Sequence, residues 1–344
     1  MPPFISRRYS YAAVLAAAGL GAAAPQAAGP VLAPLLAVGL VGLGIAHGAC
    51  DQLVVPGARP AVSLRSGRYW GWFLLGYLGL AGLVLALWWR WPAMTVGLFF
   101  GMTVWHWGSA DAPEQPQRPG QWLAHSLLRG LLLFAVPALA WPADTLGIIN
   151  GLLTFAGARP VAAGAFGAAA TGLGLVVAAG HLALWGGYAA RRHWAALGLD
   201  ARDVAVLLLL FVSLPPLLSV GVYFIFWHSL QHVLRLTPLL GYAAPAGVPG
   251  QPGRELLRQL GFFIRRAAPL LLLSCAALLV LGYLLAARLP DGAAWFSLAL
   301  VVASVVTLPH AVLVTLVMDA AKWRPRPAGP AATAAGPAQR VLAS

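Results

Sequence analysis

Stretches of roughly twenty apolar residues, the length that spans a bilayer's hydrocarbon core, recur from one end of this chain to the other. They include Val31 to Cys50, Trp70 to Trp89, Trp122 to Ala140, Pro160 to Tyr188 and Ala293 to Met318. Only 9% of residues are charged, where a water-soluble domain carries roughly 25%, so the chain has too little polar surface to coat a soluble globule. The runs are continuously apolar rather than alternating, which excludes a membrane β-barrel. The sequence therefore predicts an all-α, polytopic integral membrane bundle of about nine to ten transmembrane or re-entrant helices.

The net charge of +13, from 22 Lys+Arg against 9 Asp+Glu, would suggest a nucleic-acid partner in a soluble protein. Here most of the arginines fall between apolar runs, and the positive-inside rule accounts for them without nucleic acid. With Arg7 and Arg8 on the cytoplasmic side, the groups Arg59/Arg65/Arg68, Arg118, Arg191/Arg192/Arg202, Arg254/Arg258/Arg265/Arg266 and Lys322/Arg324/Arg326 fall on that side too. Both termini are then cytoplasmic. Cys50 and Cys275 lie in or beside apolar runs and read as small packing residues.

Residues 1–30 read as an N-terminal hydrophobic helix or signal-like segment, 31–320 as one membrane-embedded domain and 321–344 as a disordered tail rich in Ala, Pro and Gly. Thr145 to Gly157 is apolar but short, which predicts a partial or re-entrant helix. Pro215-Pro216 splits the stretch Val204 to Leu236 in two, because consecutive prolines remove helix hydrogen bonds. Pro113 to Gly120 and Tyr242 to Pro252 read as polar or Gly/Pro-rich loops, and Arg254 to Arg266 as an amphipathic helix on the membrane surface.

Chemistry enters with the histidines. His228 and His232 stand four apart in Trp227-His228-Ser229-Leu230-Gln231-His232, so on a helix both imidazoles face one object. His47, His106 and His310 lie in other runs, and alternating the runs across the membrane carries all five histidines into one layer roughly 10 Å thick at 1.5 Å per residue. His125 is expected just outside that layer, and His181 and His193 elsewhere. Ionisable groups inside a bilayer are costly and are functional candidates by default. Asp51, four residues after His47, and Asp111, one turn past His106, are placed to support the outer imidazole nitrogens. The tryptophans around His106 and beside His228 read as interface anchors.

Imidazole-only ligation suits zinc, copper, iron or nickel. The absence of His-Glu-x-x-His removes the zinc-protease reading, and one His-x-x-x-His is too few for a di-iron desaturase. A bis-histidine haem or metal-transport protein stays open.

His47-Gly48-Ala49-Cys50-Asp51, His106-Trp107-Gly108-Ser109-Ala110-Asp111, Trp227-His228-Ser229-Leu230-Gln231-His232 and Leu308-Pro309-His310 follow one another in this order. In that order and spacing they resemble the Brp/Blh family of membrane-bound β-carotene 15,15′-dioxygenases, over about Val31 to Met318. The resemblance implies cleavage of the central double bond of β-carotene to retinal by Fe(II) and dioxygen within a bacterial or archaeal membrane, in association with a microbial rhodopsin. It implies His47, His106, His228 and His232 as iron ligands, with His310 near the site. Ala46, Gln52 and Gln231 depart from residues common in the family. A non-enzymatic carotenoid- or retinal-binding membrane protein is the competing reading.

Overall fold

The computed structural model describes residues 3–112, 119–243, 252–289 and 291–323. The loop expected at Pro113 to Gly120, most of the one at Tyr242 to Pro252, and nearly all of the tail after residue 321 lie outside these residues. Among those described there is no strand. The helices are α1 (Pro3–Ala23), α2 (Pro25–Gly48), α3 (Asp51–Ala58), α4 (Gly67–Arg90), α5 (Pro92–Asp111), α6 (Pro119–Ala140) and α7 (Pro142–Phe155). They continue as α8 (Ala163–Ala190), α9 (Trp194–Ser213), α10 (Pro216–Leu236), α11 (Pro252–Leu285), α12 (Gly292–Met318) and α13 (Ala320–Trp323). Seven of these are long and apolar enough to cross a membrane. The protein is a polytopic helical membrane bundle.

Proline punctuates the chain. Pro25, Pro92, Pro142 and Pro216 each open a helix, where the missing N–H costs nothing because the first turn has no acceptor for it. Serine and aspartate do the same work elsewhere: Ser66 accepts from the Tyr69 amide and Asp291 from the Ala294 amide. The break at Pro215-Pro216 falls where expected, with Leu214 extended between α9 and α10.

Three boundaries differ from the sequence expectation. The run expected to begin at Val31 begins at Pro25, because Pro30 and Pro34 are carried inside the helix. The surface helix expected at Arg254 to Arg266 is the first part of a 34-residue helix, α11, with Pro269 in its interior. At 1.5 Å per residue α11 is roughly 50 Å long, so its basic part extends past an apolar span of about 30 Å. The short segment at Thr145 to Gly157 is α7, whose 14 residues reach only about 21 Å.

Lipid tails are as apolar as leucine, so close packing and polar contacts, not water exclusion, hold such a bundle together. The α5–α6 pair is the most extensively packed, and glycine makes it possible. A Cβ on Gly108 would lie 1.9 Å from the Ser126 carbonyl oxygen, and one on Gly130 would lie 2.0 Å from that of Val104. Neither backbone can yield without separating the helices. Gly108→Ala is expected to cost about 1–3 kcal/mol, the usual penalty for overpacking, read as a lower thermal midpoint in detergent. Because Gly108 follows His106 by two residues, the variant should also bind metal more weakly.

A buried polar cluster ties four helices together on one side. Asp200 on α9 accepts from Arg129 on α6 and, at 2.7 Å, from Trp185 on α8, and lies 3.1 Å from His125 on α6. Asp203, one turn on, accepts from Arg7 and Tyr11 of α1. Helix α1 is thus fastened into the body of the bundle, with Tyr11 edge-on to Trp227 and Ser10 accepting from Gln231 at 2.9 Å.

Candidate metal centre

Four helices bring five imidazoles to one place. His47 comes from the end of α2, His106 from α5, His228 and His232 from α10, and His310 from α12. Three of these helices contain π-helical turns: Leu40–Ile45 just before His47, Tyr223–Ser229 around His228 and Val314–Met318 just after His310. Such wide turns occur as single insertions in α-helices, often at functional sites.

Ring centroids lie 4.9 Å apart for His47–His310 and for His106–His310, 5.0 Å for His106–His228, 5.2 Å for His47–His232 and 5.3 Å for His232–His310. All five side chains are buried, none more than 6% exposed. His47, His106 and His310 each bring one ring nitrogen to a group lying within 4.8 Å of one another. His228 and His232 stand against this trio with their rings nearly parallel, at 25°.

Both ring nitrogens of His106, His228 and His232, and Nε2 of His310, are buried without a hydrogen-bond partner. Buried polar atoms are normally paired, because an unpaired one forfeits the water it left behind. His47, His106 and His310 in this cluster could hold one metal ion. The donor set is all nitrogen. Cys50 is packed into an apolar cluster with Val233 and Phe263 instead.

Residues 38–318 match the family described as beta-carotene 15,15'-dioxygenase. The chain belongs to that family. A Halobacterium salinarum protein, named probable beta-carotene 15,15'-dioxygenase Blh, is 31% identical over 304 residues, covering 82% of this chain and 83% of that one. No solved structure matches the chain. Membership of the β-carotene 15,15′-dioxygenase family places the protein among carotenoid-cleaving enzymes.

Around the histidines of this β-carotene 15,15′-dioxygenase family member, several supporting residues sit otherwise than the sequence suggested. Asp51 does not support His47, whose Nδ1 lies 3.1 Å from the Leu43 carbonyl oxygen. The helix breaks at Ala49-Cys50, so the i+4 relation fails and Asp51 opens α3. Its carboxylate oxygens instead lie 2.8 and 2.9 Å from Nδ1 of His310, and it also accepts from the Tyr77 hydroxyl at 3.0 Å. Asp111 makes no bond to His106. Five residues turn a helix by about 140° from the starting face, and Asp111 accepts from the Tyr223 hydroxyl at 2.7 Å while its carbonyl accepts from Arg7.

His125 lies apart from the five, beside Tyr188 and Asp200, and His181 Nδ1 lies 2.8 Å from the Val177 carbonyl oxygen. Trp107 and Trp227 are inside the bundle rather than at its interface: Trp227 is 1% exposed, and Trp107 stacks on Phe224 beside His228. Beyond the rings by about one turn, Asp319 holds Arg235 at 3.0 Å and Lys322 at 3.1 Å, and Lys322 reaches the Ser109 carbonyl. This knot ties α10 and α5 to the junction of α12 and α13 next to the site. Tyr77, Tyr223 and Arg129 were not among the sequence candidates. Arg129 alone left a readable trace, a charge in mid-run between Trp122 and Ala140.

Proposed function

We propose that this protein cleaves the central double bond of β-carotene within the membrane, using iron(II) and dioxygen. The observation that carries the reading is the group of orphaned imidazole nitrogens inside a member of the β-carotene 15,15′-dioxygenase family. By their place in the family motifs, His47, His106, His228 and His232 hold the iron. Neutral imidazoles suit iron among the late first-row metals, and the buried rings supply no competing thiolate. Iron(II), when bound, supplies the dioxygen chemistry that these side chains lack.

The remaining work falls to the chain itself. A hydrocarbon offers no polar handle, so shape and apolar contact must place it. Phe224 lies parallel to the His228 ring at 16°, and Trp107 covers Phe224, giving the rings an aromatic flank suited to a flat polyene. Burial of all five histidines keeps bulk water from the reacting bond. The two oxygen atoms of dioxygen end on the two carbons of the severed bond, so one carotene and one dioxygen give two retinals with nothing left over. Retinal released into the lipid is then accessible to a rhodopsin in the same membrane. The basic ends of the bundle face the cytoplasm on this reading.

Expression in carotene-accumulating bacteria tests the proposal. Cells carrying the protein should bleach and yield retinal, and membranes treated with an iron chelator should do neither. Persistent pigment despite protein in the membrane would refute it. Pigment that co-purifies intact would favour a carrier, and a Soret band a haem protein.

A further inference from the structure

We propose that His310 binds the metal directly, through an arm in which Asp51 orients the imidazole and Tyr77 anchors Asp51. This rests on the metal-centre reading above and extends it, since the family motifs place His310 only near the site.

The tautomer argues first. Nδ1 of His310 lies 2.8 and 2.9 Å from the two oxygens of the Asp51 carboxylate. A carboxylate only accepts, so Nδ1 carries the proton and the Nε2 lone pair is free. That lone pair is buried and has no partner. A histidine whose task was only to fasten α12 to α3 would be expected to have both nitrogens satisfied or one in water. His310 is 5% exposed and has neither.

The position argues second. His310 shares with His47 and His106 the group whose ligand atoms lie within 4.8 Å of one another, and its ring is within 5.3 Å of the His232 ring. Metal–imidazole bonds are about 2 Å long, so ring nitrogens on one ion sit up to about 4 Å apart, and a small side-chain shift closes the difference. His228 and His232 are not in the trio whose ligand atoms lie within 4.8 Å of one another. His310 is therefore at least as well placed for an ion as the pair from α10.

The arm supplies the third argument. Metal-bound imidazoles commonly donate their other N–H to a carboxylate, which fixes the ring and makes it a stronger donor. Asp51 is 2% exposed and accepts from the Tyr77 hydroxyl at 3.0 Å, so α4 braces α3, which braces α12. Among the described residues, Asp51 is the only carboxylate paired with any of the five rings, and beside an otherwise neutral donor set it would offset part of a divalent charge.

Anaerobic loading of the purified full chain with iron(II) alone tests this. X-ray absorption counts the imidazoles, and chelator competition gives affinity. His310→Gln should lose one imidazole from the count and bind iron roughly 100-fold more weakly. Asp51→Asn should keep the count and bind about 10- to 100-fold more weakly, and Tyr77→Phe should move the same way by less. An unchanged count and affinity in His310→Gln would overturn the inference while leaving the metal centre standing. Wild-type protein that takes up no metal would overturn both. If His310→Gln fails to fold, Asp51→Asn decides, and wild-type affinity in that variant overturns the arm.

Discussion

His106→Ala is expected to abolish metal binding and to lower retinal formation at least roughly 100-fold. Losing a partner that merely orients a ligand costs about 10- to 100-fold in affinity or activity, and His106 belongs both to the motif-derived ligand set and to the trio whose ligand atoms lie within 4.8 Å of one another. The side chain is 2% exposed with neither nitrogen hydrogen-bonded, so its removal takes away a donor without breaking any bond within the protein. His181→Ala is the matched control. That ring is also buried, but it lies against the Val177 carbonyl and stands apart from the five. Metal analysis of the two purified variants beside wild type should show metal missing only from His106→Ala. Full metal content in His106→Ala would remove this residue from the centre.

The second large effect concerns stability. Asp200→Ala should destabilise the bundle by about 3–5 kcal/mol, the cost of stranding a buried charge. Arg129 is 1% exposed and donates to Asp200, and its next carboxylate, Asp203, is 3.7 Å away and already engaged by Arg7 and Tyr11. The same substitution strips Trp185 of its acceptor and His125 of its charged neighbour. Thermal unfolding of the detergent-solubilised protein would read the loss. Removing both charges, as Arg129→Met with Asp200→Leu, should restore most of the midpoint, because a desolvated pair adds little beyond an apolar pair of similar size. If the double variant melts as low as Asp200→Ala, the cluster acts through something other than charge compensation.

The fold was legible because a bilayer imposes length and composition on whatever crosses it. The apolar runs and the Pro215-Pro216 break survive in the structure. The convergence of the histidines was legible too, since helix pitch and alternation of direction carry depth information. What escaped was rotation. His47 and Asp51 share a face only if one helix runs through both, and two residues of turn at Ala49-Cys50 redirect the carboxylate to a helix some 260 residues downstream. The wide turns on α2, α10 and α12 shift every later side chain around the axis, and no periodicity rule announces them. Aromatic rings misled in the same way: tryptophan prefers the interface, yet Trp227 packs edge-on against Tyr11 of α1 and Trp107 lies beside the His228 ring.

The order in which the histidines leave the ribosome has its own consequence. His47, His106, His228 and His232 are all made before His310, so the five rings come together only once α12 has entered the bilayer. Long-range closure of this kind comes late, after local helices and neighbouring pairs have formed. Until α12 docks, the four earlier imidazoles stand without the fifth. On the proposed site, full affinity for an ion then arises only in the completed bundle.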